Sequence, residues 1–139
     1  MEPIRVLFVC VENACRSQMA EAFANALGAG RMHASSTGSK PRGQVDATAI
    51  EVMRERGIEM GGQMSKGVEA LPQQMWDAVV TMGCQDACPT VPARRRIDWQ
   101  IPDPARQPRA VYCQVRDAIE ASVRVLIDEL TRPRRRDST

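Results

Sequence analysis

Near the start of the chain an apolar run, Val6-Leu7-Phe8-Val9, stops at Cys10, and a small polar stretch, Val11-Glu12-Asn13-Ala14-Cys15, then leads through Arg16 and Ser17 into a helical pattern. Apolar residues at consecutive positions fit a strand covered on both faces, as in a parallel sheet, rather than a half-exposed one. Parallel strands need crossover connections, so this stretch reads as the opening of a βαβ unit, with the strand at its centre. The loop between strand and helix is the shape in which backbone N–H groups and a helix N-terminus converge on one point and bind an anion. Cys10 stands at its mouth. Loop N–H groups, the positive helix end and the Arg16 guanidinium all favour its thiolate form. The same donors suit a tetrahedral oxyanion such as phosphate or arsenate, with Arg16 able to hold two of its oxygens. Nucleophile and substrate therefore share one site.

The remaining pattern builds a sheet around that strand. Ala20, Phe23, Ala24 and Leu27 fall at helical spacing over 17–27, and Gly28 and Gly30 supply the stop. A second strand is expected over 31–36, with 37–41 as loop. Asp46 can cap a second helix carrying Ala49, Ile50 and Met53 and ended by Gly57. After an irregular stretch over 58–67, a short helix is expected within 68–76. Ala78-Val79-Val80-Thr81-Met82 reads as a third strand, running into Gly83 and Cys84, so that a strand again ends at a cysteine. Ile97-Asp98-Trp99-Gln100-Ile101 alternates like a fourth, stopped by Pro102-Asp103-Pro104. Val111, Val115, Ile119, Ser122, Leu126 and Leu130 make one stripe on a long last helix. This order predicts an α/β fold, a three-layer sandwich with a four-stranded parallel sheet flanked by helices. Ligands of such sheets lie at the carboxyl ends of the strands, where Cys10, Cys84 and Asp103 should meet.

At 139 residues the chain suits a single domain, expected over 1–131, with a basic and disordered tail over 132–139; a domain of this size buries about 70% of its unfolded surface. The first residues lack the long apolar core of a signal peptide, and no stretch approaches a membrane span, so the expectation is a cytoplasmic, monomeric protein without membrane contact. There, five unevenly spaced cysteines point to redox or nucleophilic chemistry rather than a fixed disulfide framework. Net charge is +2. The cluster Arg94-Arg95-Arg96 and the tail arginines carry no interleaved aromatics, which reads as a solvated face and not as a nucleic-acid site.

Asp103, stiffened between two prolines, is the natural general acid. His33, the one histidine, falls in the weak second strand and reads as structural. Cys84 and Cys88, four apart, can close a local disulfide if their segment bends, or hold a metal. Zinc would need two more ligands, and Cys113, His33 and Cys15 are scattered, so no metal and no organic cofactor is expected. Cys113 reads as a core residue and Cys15 as a spectator in the loop.

Cys10-x5-Arg16-Ser17-Gln18-Met19-Ala20-Glu21 together with Asp103-Pro104 resembles the low-molecular-weight tyrosine phosphatase superfamily, in its arsenate reductase branch. Gln18 stands where phosphatases of this fold usually carry proline. The single tyrosine, Tyr112, cannot supply the tyrosine pair they carry near the aspartate. The resemblance implies that Cys10 attacks arsenate held by the 11–17 loop and Arg16, that Asp103 protonates the departing oxygen, and that Ser17 steadies the Cys10 thiolate. It further implies a Cys10–Cys84 disulfide as intermediate and a Cys84–Cys88 disulfide as product, across a segment whose flanking Gly83 and Pro89 are compatible with a hinge. An external reductant, thioredoxin or mycothiol with mycoredoxin, would reopen it. The Cys84-x3-Cys88 spacing looks like that of actinobacterial relatives, some of which use mycothiol. Some members hold potassium behind the loop with Asn13, Glu21, Ser36 and an aspartate; here Lys66 takes the aspartate's place, and its ammonium is expected to stand in for the ion. The rival readings are a tyrosine phosphatase and a thiol-based arsenite or metal sensor.

Overall fold

The structure is a computed structural model that describes residues 2–83 and 90–132. Cys84, Cys88 and the tail beyond Arg132 lie outside the described residues, as does most of the segment expected to be hinged. Strands β1 (Ile4–Cys10), β2 (Met32–Gly38), β3 (Ala78–Thr81) and β4 (Arg96–Asp98) alternate with helices α1 (Arg16–Leu27), α2 (Ala47–Arg54) and, at the end, α3 (Arg109–Thr131). All neighbouring strands pair in parallel, in the order β2-β1-β3-β4.

Having a neighbour on each side explains β1's composition. Every residue from Val6 to Cys10 is buried, so alternation would place polar groups in a dry layer. Val6, Phe8 and Cys10 face the larger core with Phe23, Met53, Ile119 and Val123 from the three helices. Leu7 and Val9 face a smaller one, built with Trp76, Val79 and Val91. The chain covering that second face is mostly irregular: within 68–76 the expected helix reduces to a single 3-10 turn, Val68–Ala70.

Several boundaries differ from the expectation for local reasons. β2 runs on through Thr37 and Gly38, because Gly38 pairs with Cys10 at the end of β1. β4 is only three residues long. Trp99 N still donates to Thr81 O at 2.9 Å, but the indole packs on Phe8, ring centroids 5.7 Å apart, and the prolines that follow cannot donate. On α3 the buried face is turned from the expected stripe: Val115, Ile119 and Leu126 are buried, but Tyr112, Arg116, Val123 and Ile127 share that face, while Val111, Ser122 and Leu130 lie at its margin. Cys113 is half-buried and packs against the edge of the larger core, with its sulfur 4.0 Å from Glu55. His33 is exposed on β2, away from the loop after β1. Among the described residues no helix is long and apolar enough to cross a membrane.

Candidate active site

The loop from Cys10 to Arg16 is held by its carbonyls, and all of them are claimed from outside. Cys10 O accepts from Ser39 N (3.3 Å), Val11 O from Lys40 N (2.8 Å), Glu12 O from Arg42 N (3.0 Å), Ala14 O from Asp46 N (3.0 Å) and Cys15 O from Met19 N (2.9 Å). Ser65 Oγ also reaches Glu12 O at 2.9 Å, and the Gln18 amide reaches Asn13 O at 3.0 Å. A trans peptide points its N–H opposite to its C=O. Six consecutive carbonyls turned outward therefore turn the N–H groups of residues 11–16 to the other, inner side of the loop, at whose mouth Cys10 stands. No side chain caps α1 and its first turn carries no acid, so the positive end of that helix opens on the same point. This is an anion cradle.

Two glycines make room for it. A Cβ on Gly38 would stand 2.6 Å from Val11 O and 2.9 Å from Asn13 Cβ, and one on Gly83 would stand 2.6 Å from the Arg16 guanidinium. Gly83 also has φ +84°, the left-handed region that glycine enters without strain. Arg16 is buried, donates to Ile101 O at 3.1 Å, and stands 3.8 Å from Asp103 Oδ2. Asp103 is half-exposed, and its other oxygen accepts from Ala105 N at 3.0 Å. Cys10, Glu12, Ala14, Cys15, Arg16 and Asp103 line one concavity, so the ends of β1 and β4 bring nucleophile, guanidinium and carboxyl together.

The sulfur has a hydroxyl partner, and either atom of the pair can be the donor. Asn13 Nδ2 donates to Ser17 Oγ at 2.8 Å, and Ser17 Oγ lies 2.9 Å from Cys10 Sγ. The amide leaves the hydroxyl's own proton unused, and toward a thiolate sulfur, which has no proton to give, the hydroxyl is the donor. Behind the loop, Ser36 Oγ donates to Glu21 Oε1 at 2.6 Å, Lys66 Nζ stands 3.8 Å from the same oxygen, and Lys66 N donates to Asn13 Oδ1 at 2.9 Å. Asn13, Glu21, Ser36 and Lys66 thus come together. Among the described residues no group of three His, Cys, Asp or Glu could hold a metal ion.

Cys15 is no bystander in packing. It occupies the N-cap position of α1, where burial first, then the charge of Asp46 and a hydrogen bond to it, pushes the thiol far up. Asp46 caps α2 through Thr48 N and Ala49 N at 2.8 and 3.3 Å, and its second oxygen accepts from Tyr112 Oη at 2.8 Å. Sequence reasoning gave Asp46 only its cap and Tyr112 no site role. Ser65 and Gln63 were missed altogether, since nothing local marks a loop residue that bonds a loop some fifty positions away.

A parallel four-stranded sheet with a Cys-x5-Arg cradle after its central strand defines a class, and the family model for low molecular weight phosphotyrosine protein phosphatases matches residues 5–136; the chain belongs to that family. Within it, the chain is similar to the glutaredoxin arsenate reductase of Synechocystis sp., 38% identical over 130 residues, 91% of this chain and 98% of the relative. A solved arsenate reductase in its phosphate-binding state superposes with a TM-score of 0.81 at 36% identity, covering 91% of this chain and 98% of that one. A thioredoxin-dependent arsenate reductase of Corynebacterium glutamicum matches with a TM-score of 0.75 at 28% identity, covering 93% of this chain and 63% of that one.

Proposed function

We propose that this protein reduces arsenate to arsenite by thiol chemistry, as a detoxifying enzyme. The observation that carries the nucleophilic step is the cradle of inward N–H groups around Cys10, with Arg16 and Asp103 at its rim. The Cys10 thiolate attacks arsenic, and an arsenate oxygen leaves as water with the proton that Asp103 supplies. Arg16 and the N–H groups hold the remaining oxygens as charge moves. The thiolate of Cys84 then attacks the Cys10 sulfur: the S–As bond breaks, arsenic keeps the electron pair and departs as arsenite, and a Cys10–Cys84 disulfide forms. Cys88 attacks Cys84 in turn, releasing Cys10 as thiolate and leaving a Cys84–Cys88 disulfide. An external thiol reductant returns the two electrons. Similar proteins are named for glutaredoxin and for thioredoxin, and the Cys84-x3-Cys88 spacing keeps mycothiol with mycoredoxin among the reductants to be assayed.

The cradle serves a phosphate ester equally well, so a phosphatase is the second reading. The cysteine pair after β3, idle in a phosphatase, favours reduction. One turnover with arsenate and no reductant, followed by mass mapping of disulfides, separates the two. A Cys84–Cys88 bond in the wild type and a trapped Cys10–Cys84 bond in Cys88→Ser are expected. Full arsenate turnover in Cys84→Ser, or free thiols throughout after arsenate treatment, would sink the relay. Tight stoichiometric arsenite binding without turnover would point to the sensor instead.

A further inference from the structure

Gln18 is fully buried in the first turn of α1, and both ends of its amide are in use. Nε2 lies 3.0 Å from Asn13 O, 2.9 Å from Asn13 Oδ1 and 2.8 Å from Met64 O. Oε1 accepts from Gln63 Nε2 at 2.6 Å, and Gln63 reaches Gln18 O as well, at 3.2 Å. Burying an amide is costly unless its bonds are made, and here an apolar side chain would leave Asn13 O, Met64 O and Gln63 Nε2 without this partner. Two of the amide's bonds fall on Asn13, which holds φ +52°, in the left-handed region that asparagine enters more readily than most non-glycine residues.

The consequence runs to the sulfur. Asn13 Oδ1 accepts from Gln18 Nε2 and from Lys66 N, which fixes that end of the side-chain amide as the acceptor and turns its NH2 toward Ser17 Oγ. Ser17 Oγ, held there by the amide, stands 2.9 Å from Cys10 Sγ with its own proton free for the thiolate. We propose that Gln18 is a positioning residue for the Cys10 nucleophile: through Asn13 it holds in place the Ser17 hydroxyl from which the thiolate receives its hydrogen bond, and Gln63 braces it from behind. The inference rests on the reading of Cys10 as nucleophile, but not on arsenate as its substrate.

The test is the pH profile of Cys10 alkylation by iodoacetamide, followed by peptide mass, in the wild type, Gln18→Met, Ser17→Ala and the double variant, with inorganic phosphate binding measured on each. Methionine keeps the length and loses the donors. Gln18→Met should move the profile to higher pH, slowing alkylation on its acid limb by about tenfold, the effect of one pH unit; phosphate affinity reports separately how far the loss of the bond to Asn13 O disturbs the cradle. In the Ser17→Ala background the same substitution should change alkylation by less than about twofold, because the route to the sulfur is already cut. An unmoved profile in Gln18→Met overturns the inference, as does an equal slowing in both backgrounds, which is what general loosening of the loop would give. If Gln18→Met does not fold, Gln63→Leu removes only the brace and must move the profile the same way by a smaller amount. Alkylation needs no turnover, so a wild type that fails to reduce arsenate overturns the proposed function and leaves this result standing.

Discussion

We propose that the Lys66 ammonium stands in for a bound cation behind the loop. Its ammonium lies 3.8 Å from Glu21 Oε1, donates to Met64 O at 3.4 Å, and its backbone N–H holds Asn13. A potassium ion fits poorly beside that charge, so arsenate turnover of the wild type should be the same, within about twofold, in potassium and in sodium. Lys66→Ala leaves Glu21 without its cation; turnover should fall by up to about fivefold, the reach of a partly exposed ion pair worth ~1 kcal/mol, and potassium should restore more of it than lithium does. Potassium stimulation of the wild type would overturn the assignment. At this scale the sequence was readable where a residue's chemistry is carried by its immediate neighbours. Cys10, Arg16 and Ser17 follow a strand and open a helix, and Asp103 is pinned by prolines. Gln18 could be seen only as a family mark, because its work depends on Met64 and Gln63, brought to it by the fold.

Among the elements, β2 was the least legible and is the most instructive. Met32-His33-Ala34-Ser35-Ser36-Thr37-Gly38 has little apolar bulk, so a hydrophobic pattern stops it too early. Its last residues are kept for the site. Thr37 and Gly38 bond the backbone of Lys66, with Gly38 N donating to Lys66 O at 3.0 Å and Thr37 Oγ1 doing so at 3.3 Å, and Gly38 lets the cradle lie against the strand. In Gly38→Ala the new Cβ meets backbone, at Val11 O and Asn13, which cannot swing away as a side chain would. We expect phosphate affinity to fall by at least about tenfold, equal to the ~1.4 kcal/mol that a modest displacement of several converging donors costs, with a lowered Tm. Unchanged phosphate binding by calorimetry would show that the loop tolerates the shift. The short β4 and the single 3-10 turn on the second face have the opposite cause: alternation and apolar content were present in sequence, but prolines and the packing of Trp99 and Trp76 took those residues out of regular structure.

Across the whole molecule, Asp46 ties three parts together. It caps α2, its N–H holds the cradle at Ala14 O, and its carboxylate takes the Tyr112 hydroxyl from α3. Burial pushes this carboxyl up, but hydrogen bonds from Tyr112, Ala49 N, Cys15 and Thr48 N outweigh it and hold the group below the ordinary aspartate value. A carboxyl depressed in the folded state contributes stability that is complete above its unfolded value, about 3.9, and is lost as pH falls through the folded one. Thermal unfolding followed from about pH 7 down to about pH 2 should therefore show little change from this group until about pH 4 and a decline below it. Asn is also a good helix cap, so Asp46→Asn keeps α2 while removing the charge. That variant should unfold at a lower temperature than wild type at neutral pH, and the gap should narrow as acid neutralises Asp46 in the wild type. Tyr112→Phe, which removes one bond to a buried charge, should cost about 1–3 kcal/mol at neutral pH and less below pH 3. A gap between wild type and Asp46→Asn that is constant with pH would show that the carboxylate's charge contributes nothing, and that the tie between cap, cradle and last helix is held by packing alone.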